Sequence, residues 1–367
     1  MKNKVVLAYS GDMNSTACII WMKENLDCDV IAVCVDVGQI ADWKAIKKRA
    51  LTAGAKDCHI ADVKKEYVTD YLLPLIKAGA AYQALCLPGV SVVQALVAKT
   101  LADYAHAEKA AAIAHGGACC GSTMIRLHNC LQSLVPEIEI IVPRLMWKFK
   151  TTKEVTRYLA RFLARTKMTF PAEKKNAYKR DGNLWYNSCE GLDLEDPANE
   201  PVYKKILTMI AMPERAPNKP EYVEIEFEKG IPAAVNGKKV DGVTLVSQLN
   251  KIGGANGIGI TDVVESSITG EKSRVVYEAP ACAILYHALA DLERVCFDKH
   301  AFTFKQRAAF KMGKLTCYGA WFSPLRKSLS AVVDGVQETV NGKVKLKLYK
   351  GSIYSAGVTQ AKALKKK

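Results

Sequence analysis

Val5-Val-Leu-Ala-Tyr-Ser-Gly-Asp-Met-Asn-Ser-Thr16 is the stretch that decides the fold. An apolar, β-branched run stops at Ser10-Gly11, and small polar residues then open a helical pattern over residues 15–24. A strand that turns directly into a helix leaves backbone N–H groups facing the turn. Those groups suit an anion such as pyrophosphate, and the hydroxyls of Ser10, Ser15 and Thr16 add donors. The same residue types also serve as plain helix caps. The turn therefore fixes a strand–helix junction before it fixes a ligand.

Outward from this turn, apolar runs alternate with helical patterns. Strands are expected over 5–9, 30–35 and 57–61, and helices over 42–53, 64–78 and 90–107. Further apolar runs cover 110–114 and 138–142. Short connections between such segments predict βαβ units: an α/β domain with a parallel sheet, helices on both faces, and ligands outside the carboxyl ends of the strands. Residues 151–167 form an amphipathic helix. Val155, Tyr158, Leu159, Phe162 and Leu163 make its apolar stripe, with Arg157, Arg161 and Arg165 stacked opposite.

The Pro-rich stretch 193–220 reads as an extended connecting arm. Beyond it come a strand over 222–228, a hairpin at Asn236-Gly237, helices over 244–251, 282–295 and 324–336, and a strand over 343–349. This predicts an α+β second domain. The expected division is 1–168, 169–351 and a Lys-rich tail over 352–367.

Composition narrows the class. Of 367 residues, 49% are hydrophobic and 24% charged, which excludes disorder along the whole chain. No apolar run reaches the roughly 18 residues of a membrane span. The amino-terminal residues have no apolar leader core, so a cytoplasmic protein without membrane attachment is expected. Twelve cysteines without a C-x-x-C pair argue against a zinc site and for reduced thiols in the core. The net charge of +15 is uneven: residues 144–180 carry +10 and residues 343–367 carry +8, so the remainder is slightly acidic. Those two segments fit polyanion contact or solvated faces.

With Ala8-Tyr-Ser-Gly11, Asp36-Val-Gly-Gln39, His115-Gly116, Arg126, Asn183-Leu184, Glu195-Asp-Pro197, Val223 to Gly230, Lys272-Ser-Arg274, Tyr277-Glu278, Trp321-Phe-Ser-Pro324 and Lys345 to Gly351, nearly the whole chain resembles the argininosuccinate synthetases. The resemblance implies a nucleotide-binding domain of the adenine nucleotide α-hydrolase type followed by an α+β synthetase domain. It implies an ATP-dependent carbon–nitrogen ligase of arginine biosynthesis, using ATP and Mg2+ and assembled as a tetramer or dimer. In this chemistry the ureido oxygen of citrulline is adenylated, and the amine of aspartate then displaces AMP. A ureido carbon is a poor electrophile, so the protein's work is to align substrates and neutralise charge. By position, Ala8, Tyr9, Ser10, Gly11, Asn14, Ser15, Thr16, Val35 and Gly116 match the ATP site. Ser10, Asn14 and Arg126 match catalytic positions. Cys86, Ser91, Arg126, Lys179, Ser188, Glu265 and Tyr277 match the citrulline side, and no residue is assigned to a metal.

The departures lie in the loops. Where the family reads Ser-Gly-Gly-Leu-Asp, this chain has Ser10-Gly-Asp-Met-Asn14. Asp12 puts a carboxylate where glycine would let phosphate approach, a like-charge contact. Asn14 lacks the family's charge, and Asp12 turned to solvent beside the metal would take over that duty. In the second loop, Ala118, Ser122 and Thr123 stand at the aspartate-clamp positions and Cys120 at a lysine. These changes favour an altered amine partner as much as aspartate. Two further readings stay open: a member that keeps the fold as a scaffold without catalysis, and an RNA-directed adenylating enzyme using the basic segments. The thiols of Cys86, Cys119 and Cys120 raise sulfur transfer as a variant.

Overall fold

The computed structural model describes residues 3–81, 89–117, 121–149, 151–170 and 177–361. The chain divides into two compact units: Met1–Val63 with Val93–Lys175 and Tyr318–Phe322, and Lys64–Val92 with Asn176–Cys317 and Ser323–Lys367.

The first unit is built on five parallel strands: β1 (Lys4–Ala8), β2 (Asp29–Asp36), β3 (Asp57–Asp62), β4 (Ala112–His115) and β5 (Glu139–Ile141). Their order is β3-β2-β1-β4-β5. The chain runs from β1 to one edge, then returns to place β4 on the other side of β1. The order therefore reverses between β1 and β4, and the crevice that such a reversal opens lies at their carboxyl ends. Helix α1 (Met13–Asn25) leaves β1 across this point, and helix α2 (Trp43–Thr52) follows β2. Leu7, Ile19, Met22, Val30, Ala32 and Ala114 pack into one core, which explains why these strands read as continuous apolar runs.

Helix Thr152–Thr166 opens with a capping box between Thr151 and Glu154 and buries Val155 and Leu159 in the same core. Arg157, Arg161 and Arg165 are exposed, as expected of its outer face. The short segment Tyr318–Phe322 belongs to this unit although it lies far along the chain. Asn129 Nδ2 donates to the Tyr318 carbonyl at 3.0 Å and Cys130 Sγ to the Gly319 carbonyl at 3.2 Å. Gly319 has φ +74°, and a Cβ there would lie 2.7 Å from the Arg126 backbone, so only glycine allows this approach.

The second unit holds two antiparallel sheets. One is ordered β10-β9-β8-β13-β14, from β8 (Glu221–Glu228), β9 (Ile231–Val235), β10 (Lys238–Lys239), β13 (Gly342–Tyr349) and β14 (Ser352–Thr359). The other is ordered β11-β12-β7-β6, from β6 (Lys179–Gly182), β7 (Asn187–Glu190), β11 (Ile260–Ser266) and β12 (Lys272–Glu278). The hairpin at Asn236-Gly237 forms with φ of 51° and 75°, the two positive values its tight turn needs. Helices Gly242–Ala255, Pro280–Cys296, Lys299–Cys317 and Pro324–Gln337 complete the unit.

Several expectations change here. The helix expected over 64–78 is broken into Lys64–Glu66, a π-helical Tyr67–Leu72 and Leu73–Ala78, with Pro74 opening the last piece. The arm over 193–220 is not simply extended: it contains the helix Tyr203–Ile206 and is tied down by side chains of β12. The stretch from 352 begins as strand, since β14 pairs with β13 through Thr359. Helix Lys299–Cys317 has no counterpart in the sequence reading. The nine cysteines among the described residues are buried and form no disulfide, in keeping with their expected role as core residues.

Candidate functional site

The turn after β1 is the centre of the first unit's site. Tyr9 N–H still donates to the Val33 carbonyl at 2.9 Å, so the chain stays in the sheet until the turn itself. Gly11 then adopts φ +80°, and a Cβ there would meet Ile46 Cγ1 at 2.7 Å. Arg49 on α2 donates through Nε to the Gly11 carbonyl at 3.0 Å, which fixes the turn and sets a cation beside it. Sequence reasoning missed Arg49, because nothing in the spacing of α2 distinguishes it from an ordinary surface arginine.

Asp12 caps α1. Its Oδ1 accepts from the Ser15 N–H at 2.6 Å, so the carboxylate is turned onto the helix end. The Asp12 carbonyl accepts from Ser15 Oγ at 3.3 Å and from Thr16 Oγ1 at 2.7 Å. Ser10 Oγ lies 3.1 Å from Ser15 Oγ, and Tyr9 OH lies 3.0 Å from Thr16 Oγ1. Asn14 is half-buried in the first helical turn. Burial pushes the Tyr9 phenol up to about 12.

Neighbouring strands complete the surroundings. Val35, at the end of β2, gives its carbonyl to Gln39 Nε2 at 2.7 Å, while Gln39 Oε1 accepts from the Val37 N–H at 2.8 Å. This is the local reason for the Asp36-Val-Gly-Gln39 motif: a side chain ties the turn after β2. Gly116 follows β4, and a Cβ there would lie 3.1 Å from Cys18 Sγ and 3.7 Å from Ser15 Cα, so β4 leads the chain tightly against the start of α1. The Cys18 thiol is pushed up to about 12 by burial, with the Asp12 charge adding to it, and is inert. His115 is 1% exposed, and among the described residues neither ring nitrogen has a hydrogen-bond partner. Burial, with His128 beside it, lowers its pKa to about 4, so the ring is neutral at physiological pH.

Arg126 lies half-buried on helix Ser122–Leu134 of the first unit. That helix starts after Gly121, which provides no side-chain cap, with Ser122 and Thr123 in its first turn. The start of α1, by contrast, is capped by its own carboxylate.

In the second unit, Ser188, Glu265 and Tyr277 share the sheet β11-β12-β7-β6. Tyr277 OH donates to Glu265 Oε1 at 3.1 Å, and Tyr277 pairs with Ser188 across the ladder. Tyr186 meets Tyr277 edge-on at 6.1 Å between ring centroids. Lys179 stands exposed on the edge strand β6, with Nζ 3.9 Å from Glu190 Oε1. Ser91 is buried, with Oγ 3.4 Å from Cys317 Sγ, a core contact. Cys86, Ala118, Cys119 and Cys120 lie outside the described residues.

The chain matches two family profiles: the arginosuccinate synthase N-terminal HUP domain over residues 4–162, and the arginosuccinate synthase C-terminal domain over residues 178–367. The chain belongs to the argininosuccinate synthase family. It is 46% identical over 356 residues to the argininosuccinate synthase of Acetivibrio thermocellus, covering 97% of this chain and 87% of that protein. It is 47% identical to that of Caldanaerobacter subterraneus subsp. tengcongensis, covering 96% and 85%. It is 44% identical to that of Clostridium perfringens, covering 99% and 89%. The family's HUP domain agrees with the parallel sheet found here. Among the described residues no group of three or more His, Cys, Asp or Glu side chains could hold a metal. No helix among the described residues is long and apolar enough to cross a membrane.

Proposed function

We propose that the chain is an ATP-dependent, AMP-forming carbon–nitrogen ligase that adenylates the ureido oxygen of citrulline and joins its carbon to an amino acid, giving an argininosuccinate-type product and diphosphate. The observation that carries this is the glycine turn at the order reversal of the parallel sheet, between a helix end and Arg49, in a chain of this family over nearly its full length. The turn's N–H groups and the hydroxyls of Ser10, Ser15 and Thr16 hold the polyphosphate, and Arg49 offsets its charge. Gly116 keeps the nucleotide's wall close, and Ala8, Tyr9 and Val35 form the ends of the strands beneath it. Magnesium bound with ATP would screen the phosphates.

By the resemblance, Arg126 of the first unit suits the α-carboxylate of citrulline. In the second unit, Glu265, oriented by Tyr277 and with Ser188 on the same sheet, suits an ammonium or ureido N–H group. The ureido oxygen attacks the α-phosphorus and pyrophosphate departs. The incoming amine then attacks the activated carbon, and AMP leaves with the former ureido oxygen. The positive end of helix Ser122–Leu134, where Gly121 offers no side-chain cap, suits a carboxylate, which supports aspartate as the amine despite the changed loop. The protein works in the cytoplasm as a homo-oligomer. Pyrophosphate release measured with ATP and citrulline, with and without aspartate, tests the reading. Release that requires both amino acids is expected. Release dependent on a different amine overturns aspartate as partner, and no release under any combination overturns the ligase reading.

A further inference from the structure

The groups assigned to the polyphosphate are already engaged within the turn. The Ser15 N–H is held by Asp12 Oδ1 at 2.6 Å, both hydroxyls of Ser15 and Thr16 donate to the Asp12 carbonyl, and Ser10 Oγ lies on Ser15 Oγ at 3.1 Å. Asp12 itself is relaxed, at φ −77° and ψ 174°, and exposed. A side chain at this position folds back onto the helix end without strain, and a carboxylate there gains both the N–H and the helix dipole. Phosphate would seek the same N–H with the same sign of charge, and two anions cannot share it.

We infer that the Asp12 carboxylate is a resident competitor for the polyphosphate seat: it must leave the Ser15 N–H before ATP enters, and it thereby sets the enzyme's nucleotide affinity. This rests on the reading of the first unit as the ATP site. Apparent affinity falls by the fraction of molecules whose seat is open. A cap of ordinary strength keeps that fraction at roughly a tenth. Asp12 determines affinity for the polyphosphate and leaves the nucleoside's own contacts untouched.

Calorimetric titration of the full chain with ATP, Mg·ATP, inorganic triphosphate and adenosine tests the inference in wild type and in Asp12→Ala. Alanine removes the cap and opens the seat, and a melting curve checks that the variant remains folded; Asp12→Gly serves as a second variant without a side-chain cap. The expected result is that both variants bind ATP and triphosphate about tenfold more tightly, with adenosine unchanged. Equal ATP affinity in wild type and variants overturns the inference alone. Weaker Mg·ATP binding with unchanged ATP binding also overturns it, by making Asp12 a metal-side group. Absence of ATP binding in all three proteins overturns the nucleotide reading and the inference with it.

Discussion

His115 shows how a single side chain couples the strand beside the nucleotide turn to pH. Its folded pKa of about 4 lies below the ordinary value of 6.5, so between these limits the unfolded chain binds the additional proton. Stability from this group is complete above the upper limit and is lost as pH falls toward the lower one, by up to about 3 kcal/mol. Urea unfolding between pH 7.5 and 4.5 should reveal this loss in wild type, and His115→Asn should flatten that part of the profile; identical pH profiles would contradict the assignment. At Tyr277, removing the hydroxyl takes away a donor that orients Glu265 at 3.1 Å. Tyr277→Phe should raise the KM for citrulline about tenfold with little change in kcat, as expected for lost uniform binding. A selective fall in kcat would place Tyr277 in the chemical step instead.

At the scale of elements, β12 anchors the Pro-rich arm. Glu278 is buried and accepts from the N–H groups of Thr208, Met209 and Ile210 at 2.9, 2.6 and 2.8 Å, and from Thr208 Oγ1 at 3.0 Å. Arg274 forks onto Asp262 at 2.9 and 2.7 Å and donates to the Asn199 carbonyl at 2.8 Å. Glu278→Ala leaves several donors without their acceptor, the Ile210 N–H among them buried, and should cost about 3 kcal/mol of stability, with faster proteolysis near residue 208. Unchanged urea midpoints and cleavage rates would contradict that role. These anchors also explain what the sequence conceals. Strands β1, β2 and β4 are legible because buried parallel strands read as unbroken apolar runs. Helix Lys299–Cys317 is hidden because its buried position 305 is a lysine, neutralised by Glu293 at 2.7 Å, which interrupts the apolar stripe. The arm reads as extended because its prolines are visible, while the side chains that pin it come from β12, far along the chain.

For the whole molecule, the order of segments in sequence does not map onto compact units. Residues 64–92 join the second unit and Tyr318–Phe322 joins the first through backbone contacts that only glycine at 319 permits, a tertiary fact without local signature. The site is legible to a similar degree. Spacing identifies the turn at Ser10-Gly11, and the resemblance supplies Glu265 and Tyr277. The folding of the Asp12 carboxylate onto the start of α1 and the contribution of Arg49 depend on how the turn and α2 are placed. The basic row Arg157, Arg161 and Arg165 is an exposed helix face. The ligase chemistry makes one demand of the assembled enzyme: the ureido oxygen must become an oxygen of AMP. Citrulline labelled isotopically at that oxygen, incubated with ATP, aspartate and the full chain, tests this by mass spectrometry of the nucleotide. The account predicts AMP carrying one labelled oxygen on its phosphate; AMP formed without label would contradict it.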